Sequence, residues 1–270
     1  MNATPRSDTR IMAVFCDFEN VALGVRDAKI PTFDIRKVLE RLLLKGNIVV
    51  KKAYCNWERY QDFKRPMHEA AFELIEIPHV RQGGKNSADI RMVVDALDLC
   101  YTKSHVDTFV VISGDSDFSP LVSKLRENNK IVIGCGVKNS TSDLLISGCD
   151  EFIYYDDLVR GEARARHARR EKSAKSTAKA PGAADDRRQE GIDLMLETAE
   201  DLFAERDAEE KVWGSMVKQA IKRRKPGFNE SYYGFKTFGK LLEEARDRKL
   251  IDLEFDPKSG GYIITRVAAG

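Results

Sequence analysis

The sequence predicts an α/β fold, a parallel sheet flanked by helices, followed by a small C-terminal winged helix-turn-helix module of α+β type. Three observations lead there. Between Ile11 and Tyr155, short apolar runs alternate with segments of helical period, the pattern of parallel strands joined by crossover helices. Around residues 158–188 apolar residues thin out and charge accumulates. Beyond that, three amphipathic segments precede two strand-like runs separated by a turn. A chain of 270 residues is long for one core, so two domains are expected.

The predicted strands of the first domain are IMAVFC (11–16), NIVVKKAYCN (47–56), FELIEI (72–77), TFVVIS (108–113), KIVIGCG (130–136) and EFIYY (151–155). The clearest helix between them is SADIRMVVDALDLCYT, where Ile90, Val93, Val94, Leu97 and Tyr101 recur at helical spacing and are expected to form one buried stripe. Residues 1–10 are expected to be a disordered N-terminus, 11–157 the sheet domain, 158–188 a basic linker and 189–268 the second domain. In the linker, Arg160 to Lys179 carries eight Lys or Arg against two Glu, although the whole chain nets only +2. If flexible, about 25 such residues span roughly 25–30 Å. In the second domain, GIDLMLETAEDLFAE, KVWGSMVKQAIKRR and YYGFKTFGKLLEEARDRK are predicted helices, and LIDLEF and YIITRV form a hairpin around PKSGG.

Composition excludes several classes. Hydrophobic residues make up 42% and charged residues 33%, which suits a globular protein with a highly charged surface. The five cysteines (Cys16, Cys55, Cys100, Cys135, Cys149) are scattered, lack the spacing of a zinc knuckle and read as buried thiols of a reducing compartment. With no apolar leader in MNATPRSDTR and no run near the roughly 20 residues of a membrane span, a cytoplasmic protein without membrane contact is expected. Four dispersed His leave little material for a His-rich metal site or a Ser-His-Asp triad.

Acids at strand ends carry the chemistry. Asp17 closes the first strand run, Asp115 and Asp117 follow the fourth in ISGDSDFSP, and Asp89 opens the periodic helix. In open parallel sheets ligands bind beyond the carboxyl ends of the strands, so these four acids can reach one edge. Gly114 is expected to allow a tight turn before the Asp115–Asp117 pair, with Asp117 at the entrance to the next helix. Singly, Asp89 or Asp117 also reads as a helix cap and Asp17 as a turn residue. Together they would repel unless a hard cation neutralises them, and Mg²⁺ or Mn²⁺ takes such oxygen ligands. A site of this kind suits phosphodiester hydrolysis.

CDFEN, GGKNSADIRMVVDAL, VVISGDSDFSPLVSKLRENNKIVIGCG and STSDLL together resemble an NYN domain of the PIN-like ribonucleases, over about residues 10–156. The resemblance implies a metal-dependent ribonuclease, an endonuclease, with Asp17, Asp89, Asp115 and Asp117 as catalytic Mg²⁺ or Mn²⁺ ligands. It implies that Asn20 orients metal or phosphate and that Ser113 supports the Asp115 turn. Glu19 either points to the face opposite Asp17 or pairs with a surface base, and Asp95 also falls at a family-like position. Lys85 and Asn86 in RQGGKN, and Lys138 in GVKNST, are candidate phosphate contacts; solvated surface residues are the alternative. A haloacid dehalogenase type phosphatase also uses strand-end aspartates, and CDFE fits its first motif. Its late G-D-x-x-x-D fails, because Ser119 stands four residues after Asp115.

The second domain, from about Glu190 to Val267, resembles an OST-HTH or LOTUS domain through SYYGFKTFGKLLEEARDRKLIDLE and GGYIITRV. That implies a core built on Phe235, Phe238, Leu241 and Leu242, and RNA, guanine-rich in some members, or a helicase as partner. Lys222, Arg223 and Arg224, with Lys218 and Lys225, end the second helix as candidate RNA contacts or as a solvated helix face. Of Tyr232 and Tyr233, base stacking is open to one and core packing to the other. A homodimer is compatible with the sequence. A non-catalytic RNA-binding regulatory adaptor is the second functional reading.

Overall fold

The computed structural model describes residues 9–77, 87–161, 183–205 and 211–268. The chain divides into two compact units, Met1–Ser173 and Ala174–Gly270. Each is described by itself.

The first unit is a six-stranded parallel sheet covered by helices on both faces. Its strands are β1 (Arg10–Asp17), β2 (Gly46–Cys55), β3 (Glu73–Glu76), β4 (Thr108–Ile112), β5 (Ile131–Gly136) and β6 (Glu151–Tyr154), in the order β3-β2-β1-β4-β5-β6. Every strand lies where an apolar run predicts it. β1 begins at Arg10, inside the stretch expected to be disordered; residues 1–8 lie outside the described residues. Strand order reverses between β1 and β4, which creates a crevice at their carboxyl ends.

Alternation along β1 shows why the sheet needs two covers. Met12, Val14 and Cys16 join a core with α1 (Phe18–Asp27), α2 (Ile35–Lys45) and α3 (Gln61–Glu69). Ala13 and Phe15 join a second core with α4 (Ser87–Thr102), α5 (Ser119–Glu127) and α6 (Asp143–Gly148). A strand buried on both faces reads as a continuous apolar run, as β1 and β4 do. A last helix, α7, is described over residues 155–161.

The expected stripe on α4 is wrong in its facing. The residues that bury fully are Met92, Ala96 and Cys100, whereas Ile90, Val94 and Tyr101 are 63%, 55% and 64% exposed. Val93 and Leu97 sit between, partly buried against the core. The helix is apolar on nearly every side, so period alone does not choose its face. The core it joins already holds the stacked rings of Phe15 and Phe109, and small Ala96 and Cys100 fit that bulk better than branched side chains do.

In the second unit, α8 (Ala183–Glu205), α9 (Gly214–Arg224) and α10 (Phe238–Asp247) accompany an antiparallel sheet of β7 (Val212–Trp213), β9 (Gly261–Val267) and β8 (Ile251–Asp256), in the order β7-β9-β8. The β8–β9 hairpin matches the predicted LIDLEF and YIITRV runs. Two boundaries move. α8 starts at Ala183, within the expected linker, and the segment 162–182 lies outside the described residues. α10 starts only at Phe238: Gly234 holds a φ of +79°, a left-handed turn that breaks the expected longer helix, and Thr237 then caps α10 by accepting from the Lys240 amide. Phe235, Phe238, Leu241 and Leu242 are buried as expected.

Candidate functional site

Sheet register brings the first two groups together. Cys16 pairs with Ile112, so the next residues along the neighbouring strands, Asp17 and Ser113, emerge side by side at the crevice. The Ser113 hydroxyl donates to Asp17 Oδ2 at 2.9 Å, and its Oγ accepts from the Asp115 amide at 3.2 Å. Asp17 also caps α1, its Oδ1 accepting from the Asn20 amide at 3.4 Å. Asn20 in turn accepts from the Gly114 amide through Oδ1 at 2.8 Å. The Asn20 amide oxygen therefore fastens the loop that carries Asp115, a positioning role that the D-x-x-N spacing foreshadows.

Gly114 serves a different purpose from the one expected. It is not among the glycines with positive φ; instead, a Cβ there would lie 2.4 Å from the Ser140 carbonyl oxygen and 3.0 Å from Thr141 Cα. The loop after β5 closes on it, with the Ser142 amide donating to the Gly114 carbonyl at 2.9 Å. Beyond it, Asp115 caps the 3-10 turn Ser116–Phe118 by accepting from the Asp117 amide at 3.0 Å. The cap is thus Asp115, which leaves the Asp117 carboxylate exposed. Asp89 stands in the first turn of α4.

Asp17 and Asp89 feel the charges of other acids at this edge. Asp17 is only 7% exposed, and its pKa is raised from the usual carboxylate range to about 7. Burial is the main cause; the charges of Asp89 and Asp115 add to it, while the hydrogen bonds from Ser113 and Asn20 oppose it. Asp89 is raised as well, first by burial, then by Asp115, Asp117 and Glu19. No Lys or Arg forms an ion pair with any of the four among the described residues, in contrast to their acidic neighbours. Glu19 is paired with Arg59 at 3.0 Å. Asp95 accepts from Tyr54 (2.8 Å), Arg91 (3.0 Å) and Lys52 (3.3 Å); burial alone would raise its pKa, but these partners win and hold it low.

All the donors here are oxygens, the set that hard divalent cations accept. Among the described residues no group of three or more His, Cys, Asp or Glu side chains is placed to hold a metal ion. Asp17 and Asp89 thus feel neighbouring acidic charge without being gathered into a ligand group.

A family model described as the NYN domain matches residues 11–156, more than half of the chain. The chain belongs to the NYN domain family. Membership assigns the NYN unit, at the coarse level, to PIN-like nucleases and RNA-binding domains, which are generally ribonucleases and typically use divalent metals. A Methanocaldococcus jannaschii protein described as uncharacterized is 29% identical over 120 residues, 44% of this chain and 47% of that protein, so the chain spans about half the length of that relative. The crystal structure of a Vibrio parahaemolyticus protein of unknown function superposes with a TM-score of 0.51 at 27% identity, over 57% of this chain and 98% of that one.

The remaining predicted contacts are more dispersed. Lys85 and Asn86 lie outside the described residues. Lys138 stands after β5 in a 3-10 turn, with its ammonium 5.8 Å from the centre of the Tyr154 ring. In the second unit Lys222 is exposed, Arg224 is paired with Asp201 at 2.7 Å, and Arg223 is half-buried, its pKa lowered by burial and by Arg224. Lys218 pairs with Glu230 at 2.5 Å. Tyr233 is buried, whereas Tyr232 is exposed and meets it edge-on at 5.1 Å. All five cysteines are free thiols. Among the described residues no helix is long and apolar enough to cross a membrane.

Beside the acids lies a feature that sequence reasoning missed. A groove of about 750 Å³ runs between α4, α5 and α6, lined by Ile90, Val93, Val94, Pro120 and Leu144 with three serines. Placing Ile90 and Val94 in the core concealed it; the apolar excess of α4 was the available signal.

Proposed function

We propose that this protein is a metal-dependent ribonuclease that hydrolyses internal phosphodiester bonds of RNA. The observation that supports the reading is that Asp17 and Asp89 feel the charges of Asp115 and, for Asp89, Asp117, while no Lys or Arg among the described residues is paired with any of the four. Burial and then neighbouring acidic charge raise the pKa of Asp17 and of Asp89, so the metal-free, fully charged state is disfavoured and a divalent ion at the crevice would relieve it. Asp17, Asp89, Asp115 and Asp117 would hold Mg²⁺ or Mn²⁺, directly or through water. When bound, the ion supplies Lewis acidity and positive charge at the phosphodiester. The protein's own part is positional: Ser113 holds Asp17 and the Asp115 turn in register, and Asn20 keeps the Gly114 loop against β1.

On this reading residues 11–157 cut, and 189–268 act as an OST-HTH or LOTUS module that recruits RNA through Lys222 and its neighbours, joined by the basic segment 158–188. A helicase in place of RNA is the protein partner that the same module would accept. Labelled RNAs incubated with wild type and Asp115→Asn, with and without Mn²⁺, test the reading. Wild type is expected to release internal fragments only with Mn²⁺, and Asp115→Asn to release none while still binding RNA. Equal cleavage by both proteins removes Asp115 from the mechanism.

The second reading, a non-catalytic RNA-binding adaptor, is favoured by one observation: the acids do not already form a closed ligand group among the described residues. Titration with Mn²⁺ separates the two. An adaptor shows neither thermal stabilisation by the ion nor RNA degradation.

A further inference from the structure

We propose that the groove between α4, α5 and α6 is a base subsite, which takes one unpaired nucleobase of a strand whose neighbouring phosphodiester lies at the acidic cluster. The inference rests on the ribonuclease reading and adds to it a place for one base beside the cut.

The walls suit a flat ring. Ile90 and Val94 project from α4, while Leu144 on α6 is 62% exposed, so large aliphatic side chains stand open to solvent around one cleft. An exposed cluster of this kind marks a binding surface more often than chance. Its volume of about 750 Å³ falls in the range of small-ligand clefts, roughly 300–1,000 Å³. Enzymes that hold an extruded base pack its faces between aromatic or apolar side chains and read its edge with hydrogen bonds.

The edge-reading groups are present too. Ser116, Ser119 and Ser123 line the groove, and the Ser119 hydroxyl oxygen is buried with no hydrogen-bond partner among the described residues. A hydroxyl removed from water without a partner is unfavourable, so a ligand with ring nitrogens or exocyclic groups fits it better than an aliphatic one.

Position completes the argument. Asp89 and Asp117 belong both to the groove lining and to the acidic cluster, so the two sites are continuous. A base in the groove would leave its own phosphate near Asp89 and Asp117, where a divalent ion, if bound, would offset the like charges. A protein helix or a second copy of the chain would cover the same apolar walls. It would also cover Asp89 and Asp117 and would need its own cations placed against them. Bases of an intact duplex are stacked and paired and do not reach the groove.

The test uses the full chain with single-stranded oligoribonucleotides in Mn²⁺, each carrying one abasic residue at a successive position. One position next to the cut is expected to lose about tenfold or more in kcat/KM when its base is removed. Val94→Asn and Leu144→Asn, at exposed positions where the fold is unaffected, are expected to lose the same factor on the intact strand and to abolish the difference between intact and abasic strands. In the Asp115→Asn background, 2-aminopurine at that position reports entry into the groove by fluorescence without cleavage. The subsite is overturned if abasic strands are bound and cut equally wherever the lesion lies, or if Val94→Asn leaves the discrimination intact. If wild type cuts no RNA, the nuclease reading fails, and the fluorescence measurement still decides the groove. Loss of self-association in Val94→Asn with unchanged base discrimination would assign the groove to a second copy and overturn the proposal.

Discussion

Ser113 bridges two acids with one oxygen: its hydroxyl donates to Asp17 while its lone pair accepts from the amide of Asp115. The residue is fully buried, so no water replaces it when it is removed. Ser113→Ala is expected to lower stability by about 1–3 kcal/mol, because Asp17 loses its best donor in a desolvated place. The pKa of Asp17 should rise further, since the Ser113 bond is the strongest influence holding it down. Denaturant unfolding, with a titration of Asp17 followed by carboxyl NMR, checks both effects; an unchanged Asp17 titration would show that the bond is not formed.

Asp17 links stability to pH. Its folded pKa of about 7 exceeds the ordinary 3.8, so between those values the folded chain binds more protons than the unfolded chain. Metal-free stability therefore falls as pH rises from about 4 to 7. Asp17→Asn keeps an acceptor for Ser113 and removes the charge. It should match wild type near pH 4 and exceed it at pH 8 by on the order of 2–4 kcal/mol, a gain of several degrees in melting temperature. Mn²⁺ should narrow that difference. Thermal melts across pH in chelator decide it, and a constant offset between the two proteins would overturn the assignment.

Gly114→Ala places a methyl group against backbone. The 2.4 Å approach to the Ser140 carbonyl oxygen forces the loop after β4 or the loop after β5 to move. A cost of about 1–3 kcal/mol is expected, together with loss of cleavage because Asp115 moves with its loop. Melting curves and RNA cleavage in Mn²⁺ measure the two effects together. Activity retained at full stability would mean that the approach is looser than the structure has it.

The architecture was legible because β1 and β4 are buried on both faces, and such strands leave an unbroken apolar run that other elements do not imitate. The acids were legible for a related reason. Parallel strands all end at one edge, so an acid directly after a strand run has a known destination. Side-chain facing on α4 was not legible, since a helix with Ala88, Ile90, Met92, Val93, Val94, Ala96, Leu97, Leu99 and Cys100 satisfies several stripes equally well. The bulk of Phe15 and Phe109 chose among them, and that is tertiary information. The Ser140–Thr141 approach to Gly114 is equally long-range, so the glycine was visible but its reason was not.

Asp95 separates structure from chemistry. It lies on the same helix as Asp89 yet holds Tyr54, Lys52 and Arg91. Asp95→Ala is expected to cost about 1–3 kcal/mol through the loss of charge-assisted hydrogen bonds and to leave kcat for RNA cleavage within about twofold. Asp89→Ala should do the reverse, abolishing cleavage while leaving the metal-free fold as stable as before or more so. Parallel melts and cleavage rates distinguish them. Equal loss of activity in both variants would extend the site to Asp95.

The basic end of α9 divides in the same way. Arg224 is committed to Asp201 at 2.7 Å, an ion pair within the second unit, whereas Lys222 is exposed at the end of the helix. A lysine that neutralises one phosphate of a single strand contributes about 0.7 to the slope of log affinity against log salt concentration. Lys222→Ala should therefore weaken RNA binding by the full chain and flatten that slope by about 0.7, with no change in melting temperature. Arg224→Ala should lower the melting temperature of the second unit, because it leaves Asp201 without its partner. Polarisation measurements over a salt series check the first expectation and calorimetry the second. If Lys222→Ala leaves the slope unchanged, this end of α9 is a solvated helix terminus, and the module meets its partner elsewhere.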